Sequence, residues 1–316
     1  MNVPLQDNNR SSTAKDSRKS PGIMDIIRTL RPNHWTKNII VFAALFFAFW
    51  DRSSGQRLGP AECLKVSLAF LIFCIVSSGI YILNDIKDID VDRTHPVKNA
   101  RPIPSGVMPL PYAWTMTLIL TGCGLLLSLL LPLQFTMVIV AYVAIQIIYS
   151  NGLKQVALVD VFVIASGFVL RAIAGAVAMT GVTISPWLLL CTFLLALFLA
   201  LCKRRHEKFF LNDAHRPSLE KYDQTLLDQL IAITSSATIV SYSIYTLWPK
   251  TVEKFGTHSL GFTIPFVVFG IFRYLDLVYR HEKGDRPEMI LLTDVPLIAV
   301  IALYAISILA IFTLHL

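Results

Sequence analysis

The chain has 316 residues, of which 54% are hydrophobic and only 16% are charged, and its mean hydropathy is +0.60. A soluble protein carries about 25% charged residues, so this composition excludes a soluble domain and indicates an integral membrane protein. The formal net charge of +7 follows from the membrane topology described next, and it does not indicate a nucleic-acid partner.

The N-terminal residues 1–22 are polar, contain Ser, Lys and Arg, and lack the apolar core of a signal peptide. We predict that they form a disordered cytoplasmic tail. The remainder, 23–316, is predicted to form a single transmembrane domain. Its five cysteines are scattered through apolar segments without a C-x-x-C spacing, which favours buried thiols over a disulfide framework or a zinc site.

Nine apolar segments are predicted to cross the bilayer, because a transmembrane helix needs roughly 20 apolar residues. They are 31–50, 63–84, 112–131, 134–150, 160–179, 186–202, 229–248, 260–279 and 295–314. The first is the weakest, since its apolar part is short and must be extended through the polar residues 32–37. The predicted fold class is therefore all-α: a polytopic membrane bundle of nine helices, capped by loops on the cytoplasmic side.

The distribution of basic residues predicts the orientation of this bundle. With the N-terminus inside, 21 of the 28 Lys and Arg residues fall on the cytoplasmic side and 5 on the other. This agrees with the positive-inside rule, so we expect a multi-pass protein of the inner (plasma) membrane whose C-terminus lies outside. The long polar loops 84–111, 203–228 and 280–294 then share the cytoplasmic face, which predicts that the active site lies there.

An acidic run directly after the second span is the most informative motif. Asn84 is followed by Asp85, Asp88 and Asp92, and on a continuous helix these three aspartates would share one face. Three carboxylates near a membrane need a counter-charge, and carboxylate oxygens are ligands that Mg²⁺ prefers. The motif therefore predicts a Mg²⁺ site formed by the three aspartates, and diphosphate chemistry at a membrane face.

Several cations and polar groups on the same face are candidates for binding phosphate. Lys98 and Arg101 project from a rigid, proline-rich stretch beside the aspartates, although anchoring at the membrane surface is the alternative for both. The others lie where spans begin or end: Lys37 and Asn38 in the first, Tyr149 and Lys154 after the fourth, Asp160 at the start of the fifth, and Lys203, Arg204 and Glu207 at the end of the sixth. Two alternatives stay open for Asp160, namely binding a second metal or pairing with Lys154.

Two arginines fall inside predicted spans. Arg171 lies about 16 Å into the fifth span at 1.5 Å per residue, where a charge costs at least a few kcal/mol unless it is paired. A structural partner and a substrate phosphate explain it equally well. Arg273 in the eighth span must likewise face the interior of the bundle. The chain lacks the motifs of metalloproteases, serine hydrolases, P-loops and dinucleotide binding, which disfavours those activities.

Together these motifs resemble the UbiA superfamily of membrane prenyltransferases, over residues 24 to 314. Within it, the chain is most similar to the decaprenyl-phosphate phosphoribosyltransferases. The matching segments are Leu30-Arg31-Pro32, Trp35-x-Lys37-Asn38, Asn84 to Asp92, His95-Pro96, Arg101-Pro102-Ile103, Tyr149-Ser150, Lys154 with Asp160, Arg171 to Gly175, Lys203-Arg204-x-x-Glu207 and Phe272-Arg273-Tyr274. The aromatic prenyltransferases of the superfamily carry a second aspartate-rich motif after the fourth span, where this chain has Tyr149, Lys154 and a lone Asp160. That departure disfavours a second metal and favours contact between Lys154 and phosphate.

The resemblance implies a Mg²⁺-dependent membrane pentosyltransferase of cell-wall precursor biosynthesis. Its donor would be 5-phosphoribosyl 1-diphosphate and its acceptor a polyprenyl phosphate of the decaprenyl type, with diphosphate released. Catalysis would rest on the three aspartates and Lys154, and the remaining candidates, including Asn84, Arg171 and Arg273, would bind substrate. Two alternatives stay open: prenyl transfer to an aromatic acceptor, and transport of a lipid phosphate, which should show inverted repeats or discontinuous helices. A homo-oligomer is also left open.

Overall fold

The computed structural model describes residues 21–53, 58–209, 219, 221–280 and 287–314, so most of the predicted disordered tail lies outside the described residues. Within these ranges the chain is all-α, as predicted. The α-helices are α1 (Ile23–Leu30), α2 (Ala43–Phe49), α3 (Pro60–Lys87), α4 (Ile89–Thr94), α5 (Leu110–Ser128), α6 (Leu133–Asn151), α7 (Val159–Val177), α8 (Pro186–Phe209), α9 (Gln224–Leu247), α10 (Pro249–Phe255), α11 (Ile264–Arg280), α12 (Pro287–Thr293) and α13 (Val295–Leu314). Four 3₁₀ helices lie between them: Pro32–Phe42, Lys98–Ala100, Leu153–Gln155 and Ser259–Thr263.

Eight helices in the described part of the chain are long and apolar enough to cross a membrane. They are α3, α5, α6, α7, α8, α9, the Ser259–Arg280 helix that contains α11, and α13. Each overlaps most of one of the last eight predicted spans, so those spans are confirmed as helices. The count of nine is not confirmed. The first predicted span, 31–50, is a 3₁₀ helix from Pro32 to Phe42 that continues into α2.

Prolines begin many of these helices, because proline fixes φ and lacks the N–H that the first helical turn cannot satisfy. Pro60 opens α3 and Pro249 opens α10. At the start of α9 a side chain supplies the missing partner instead, since the Asp223 carboxylate accepts a hydrogen bond from the Thr225 N–H at 3.1 Å. These local signals set where each helix starts and so where the loops lie.

Two helices form the centre of the bundle. In α3, 67% of the most apolar stretch is buried inside the protein, and in α7 the share is 50%, more than in any other candidate span of the described residues. α3 packs along α5, α6 and the first 3₁₀ helix, while α7 packs along α8 and the same 3₁₀ helix. The end of α3, the end of α6, the start of α7 and the end of α8 meet at one end of the bundle, called the polar end below.

A backbone contact joins α7 to the first 3₁₀ helix. A Cβ atom placed on Gly175 would lie only 1.9 Å from the carbonyl oxygen of Val41, so only glycine permits this approach. Around it, Phe73, Phe135 and Tyr142 are almost fully buried and fill the space between α3, α6 and α7. This packing fixes the helices whose ends carry the polar residues.

Candidate active site at the polar end of the bundle

The aspartate run lies on two helices rather than one. α3 ends at Lys87, Asp88 has φ −100° and ψ 9°, and α4 starts at Ile89. This differs from the expected single face of a continuous helix. Asp85 and Asp92 are each only 4% exposed, whereas the side chain of Asp88 is 36% exposed. Asp85 and Asp92 share the cation Arg101, whereas Asp88 pairs with Lys154.

Arg101 bridges the two buried carboxylates. Its Nη1 atom lies 3.1 Å from Asp85 Oδ1 and 2.8 Å from Asp92 Oδ2. One guanidinium nitrogen therefore contacts both carboxylates, which lowers the cost of burying them. The proline-rich stretch holds Arg101 in an extended conformation (φ −68°, ψ 151°) directly before Pro102, as expected for a residue that precedes proline.

The three carboxylates also interact electrostatically. Burial raises the pKa of Asp92; the positive charge of Arg101 opposes this shift, and the negative charges of Asp85 and Asp88 raise the pKa further. Lys98, which the sequence predicted as a phosphate ligand, lowers the pKa of Asp92. The acidic run and the stretch after it therefore form one electrostatic unit.

Arg31 belongs to the same unit, although the sequence did not single it out as a site residue. It links α1 to the first 3₁₀ helix with φ 54° and ψ 58°, a left-handed conformation that costs about 1–2 kcal/mol for a residue with a side chain. Its guanidinium forms an ion pair with Asp85 and lies 5.7 Å from the centre of the Tyr81 ring. The signal available in the sequence was a cation directly before Pro32 at the entry to the first predicted span.

The connection between α6 and α7 reaches the aspartate run. Lys154, in the 3₁₀ turn Leu153–Gln155, forms an ion pair with Asp88, and the Ser150 hydroxyl hydrogen-bonds the side-chain oxygen of Asn84. The two clusters that the sequence placed after the second and fourth spans are thus one site.

Asp160 pairs with Arg204, a residue of α8. Arg204 Nε donates to Asp160 Oδ2 at 2.6 Å, and the side chains of both residues are at most 3% exposed. Arg204 also forms an ion pair with Glu207, and Lys203 Nζ lies 3.7 Å from the same carboxylate. Tyr149 lies close enough to interact electrostatically with Arg204. Arg204 is thus held within the protein, while Lys203, whose side chain is 39% exposed, is the more accessible cation.

Arg171 and Asn38 form a separate, deeper network. Arg171 Nε donates to Asn38 Oδ1 at 2.7 Å, Nη1 to the Gly167 carbonyl at 2.8 Å, and Nη2 to Tyr142 Oη at 2.9 Å. Asn38 in turn donates to Ser77 Oγ on α3 at 3.3 Å, eight residues before Asp85 and about 12 Å away along the helix. This network joins α3, α6, α7 and the first 3₁₀ helix, so the structure gives both residues a packing role.

Two further predicted substrate ligands have other surroundings. Arg273 donates to Asp276 at 2.9 Å and to Asp294 at 2.8 Å, and so connects α11 to the start of α13. Lys37 is half-buried beside Asn38. The contacts of Arg273 do not by themselves indicate a bound phosphate.

The described residues contain no group of three or more His, Cys, Asp or Glu side chains arranged to hold a metal ion. Two of the three aspartates nevertheless have the chemistry and the arrangement of Mg²⁺ ligands. Asp85 and Asp92 already converge on one positive centre, the Nη1 atom of Arg101, and carboxylate oxygens are the ligands of this ion. Asp88 pairs with Lys154 in this structure.

Comparison with known proteins finds relatives over most of the chain. The sequence model of the UbiA prenyltransferase family matches residues 38–220. The decaprenyl-phosphate phosphoribosyltransferase of Mycobacterium tuberculosis H37Rv is 34% identical over 278 residues, covering 86% of this chain and 89% of that protein. The protein of the same name from Mycolicibacterium smegmatis is 36% identical, covering 86% and 87%. Among solved structures, a UbiA homolog from Archaeoglobus fulgidus bound to GPP and Mg²⁺ superposes with a TM-score of 0.69 at 19% identity, covering 92% of this chain and 99% of that one.

Proposed function

Because this chain belongs to the UbiA prenyltransferase family, we propose that it transfers 5-phosphoribose from 5-phosphoribosyl 1-diphosphate to a decaprenyl-type polyprenyl phosphate and releases diphosphate. The relatives that carry the name decaprenyl-phosphate phosphoribosyltransferase are 34–36% identical to it over most of both chains. The bundle of membrane-spanning helices suits a lipid acceptor, and the cations at its polar end suit a donor that carries several phosphates.

The ion pair between Lys154 and Asp88 is the observation that carries this proposal. In the alternative function, prenyl transfer to an aromatic acceptor, a second aspartate cluster at this position would bind a second metal. Here the α6–α7 connection supplies a cation, and Asp160 is occupied by Arg204. A cation that faces the acidic run can bind a phosphate oxygen directly, so the site suits two phosphate-bearing substrates.

The residues of the chain account for the main demands of the reaction. Breaking the anomeric C–O bond places negative charge on diphosphate, and Arg31, Arg101 and Lys154 lie where they can bind it. A Mg²⁺ ion bound by Asp85 and Asp92, with Asp88 as a third ligand, would supply further charge neutralisation. The acceptor phosphate is already an anion, so it attacks the anomeric carbon without a strong general base.

Holding two anionic substrates together is then the principal task, and orientation can contribute several kcal/mol. Lys98 and Lys203 extend the set of cations toward solvent, where they suit the 5-phosphate of the donor or the phosphate of the lipid. Arg171, Asn38 and Arg273 support the bundle in this scheme rather than binding substrate.

The proposed location is the plasma membrane, with the N-terminus and the polar end in the cytoplasm and the C-terminus outside. The excess of Lys and Arg on one side of the predicted topology supports this orientation. Residues 23–316 would act as one transferase domain, and the lipid tail would lie between helices, in a groove open to the bilayer.

The direct test is a transfer assay with the detergent-solubilised protein. The purified chain is incubated with Mg²⁺, 5-phosphoribosyl 1-diphosphate labelled in the ribose, and decaprenyl phosphate, and the label is then extracted into the lipid phase. The proposal requires lipid-bound label that disappears when EDTA is added. If no label moves but geranyl diphosphate is consumed with an aromatic acceptor, the chain is a prenyltransferase instead.

A further inference from the structure

The α6–α7 connection, residues 152–158, contains Lys154 and ends at a residue with a strained backbone. Leu158, directly before α7, has φ 68° and ψ −46°, a region that residues with side chains rarely adopt. Among the described residues only Arg31 and Leu158 are non-glycine residues with positive φ; Arg31 pairs with Asp85, and Leu158 lies four residues after Lys154. Such a conformation costs about 1–3 kcal/mol and persists only where the surrounding structure holds it.

Tyr222 holds Leu158 in this conformation from a distant part of the chain. The Leu158 N–H donates to Tyr222 Oη at 2.7 Å, and the Tyr222 hydroxyl donates to Asp160 Oδ1 at 2.8 Å. The hydroxyl thus accepts one hydrogen bond and donates another, on either side of the start of α7. Burial, with the charge of Asp160 next in importance, raises the pKa of Tyr222, so the hydroxyl keeps the proton that it donates.

The surroundings of Tyr222 are buried and hydrogen-bonded. The residue is 2% exposed and packs with Leu219 in the apolar core between α7, α8 and α9. The Leu219 carbonyl accepts a hydrogen bond from Lys208 Nζ at 2.9 Å. The other oxygen of Asp160 is bound by Arg204. The hydroxyl therefore connects this buried core to the α6–α7 connection.

The α6–α7 connection is short, so the hydrogen bonds that join Tyr222 to Leu158 and Asp160 also restrain the position of Lys154. Leu158 follows Lys154 by four residues, and the Asp160 N–H donates to the Val156 carbonyl at 3.1 Å. We propose that Tyr222 is a positioning residue for phosphoribosyl transfer, an inference that rests on the proposed function. Through its hydrogen bonds to Leu158 and Asp160, Tyr222 holds the α6–α7 connection so that Lys154 lies at Asp88. It contacts neither substrate; it acts through the connection.

The test compares Tyr222→Phe with a matched control, Tyr279→Phe. Tyr279 also donates its hydroxyl to an aspartate, Asp228, at 2.8 Å, but it lies on α11 and has no bond to the α6–α7 connection. Each purified full-length variant is treated with an amine-acylating reagent, and the rate of labelling of Lys154 is measured by mass spectrometry. Lys254, paired with Asp51 elsewhere in the fold, is the internal reference.

We expect faster labelling of Lys154 in Tyr222→Phe, relative to Lys254, and an unchanged rate in Tyr279→Phe. Phosphoribosyl transfer by Tyr222→Phe should fall by about 10- to 100-fold in kcat, because small misplacements of a binding group have effects of this size. An unchanged labelling rate in Tyr222→Phe would overturn the positioning role even if activity fell. The labelling experiment needs no turnover. It therefore still tests whether Tyr222 positions Lys154, even if the wild-type protein transfers no phosphoribose and the proposed function fails.

Discussion

Lys154 and Asp88 lie 66 residues apart in the chain and form an ion pair at the polar end of the bundle. The pair connects the break between α3 and α4 to the α6–α7 connection. In the proposed reaction Lys154 binds phosphate and Asp88 binds Mg²⁺, so both residues stabilise the same developing negative charge. The two residues therefore act on the same step, and their substitutions should not be independent.

Asp88→Asn and Lys154→Ala should each reduce phosphoribosyl transfer by about 100-fold or more, the effect of removing one group that stabilises developing charge. The double variant should be little worse than either single variant, because residues that act as a unit are not additive. Labelled lipid is the readout. Asp90→Asn is the matched control, since its side chain is 92% exposed, and it should stay within about twofold of wild type. Additive losses would contradict a shared step.

Arg31 allows its backbone and its charge to be tested separately. Arg31→Ala and Arg31→Gly both remove the guanidinium from Asp85, so both should reduce transfer to a similar extent. Glycine adopts the left-handed conformation without strain, so Arg31→Gly should be more stable than Arg31→Ala by about 1 kcal/mol. The measurements are initial rates and thermal unfolding in detergent. Full activity in Arg31→Ala would exclude a role in binding the diphosphate.

Arg171→Lys should lower stability more than activity. A lysine cannot reproduce the three bonds of the guanidinium to Asn38, Gly167 and Tyr142, and a hydrogen bond to a charged group contributes about 1.5–3 kcal/mol. We expect a loss of about 3 kcal/mol or more in unfolding free energy, with the KM for the donor unchanged in the protein that remains folded. Arg280→Lys is the control, because that side chain is 82% exposed. A raised KM without a loss of stability would restore the substrate-binding role.

The contact at Gly175 predicts a large effect from a single methyl group. Gly175→Ala would place its Cβ against the Val41 carbonyl and force α7 away from the first 3₁₀ helix, so little folded protein should be recovered. Gly122→Ala in α5 is matched to it, because nothing lies within 4 Å of the added Cβ; it should be neutral or stabilising by up to about 1 kcal/mol. Size-exclusion profiles in detergent compare the two. Equal recovery would show that α7 can move freely.

The sequence alone was sufficient for the spans because apolar length is a local property. Eight predicted spans coincide with helices such as α3 and α13. It also located the acidic run, since three aspartates after an apolar segment require a counter-charge wherever the chain folds. The 3₁₀ conformation from Pro32 to Phe42 could not be predicted, because it depends on Asn38 meeting Arg171 and on Gly175 meeting Val41, and these pairs are far apart in the chain.

The sequence also could not predict which side chains form ion pairs and hydrogen bonds with each other. Asp160 had Lys154 nearby in the chain, but it also bonds Arg204 and Tyr222, 44 and 62 residues away. Tyr222 gave no signal of its own, as a single tyrosine near the start of a span is usually an interfacial residue. Arg31 was visible as a cation beside Pro32, but its contact with Asp85 spans 54 residues. Such pairs follow from how α3, α7 and α8 pack, which no local pattern specifies.

The long 3₁₀ helix also changes how far the first segment reaches. A 3₁₀ helix rises about 2.0 Å per residue, against 1.5 Å for an α-helix. The eleven residues Pro32–Phe42 and the seven of α2 therefore extend about 32 Å if they run in line, where a purely α-helical segment would extend about 27 Å. The hydrocarbon core of a bilayer is about 30 Å thick. The 3₁₀ helix thus gives this short segment the length that a ninth membrane crossing needs. With an odd number of crossings the two chain ends lie on opposite sides of the membrane, and with an even number they lie on the same side.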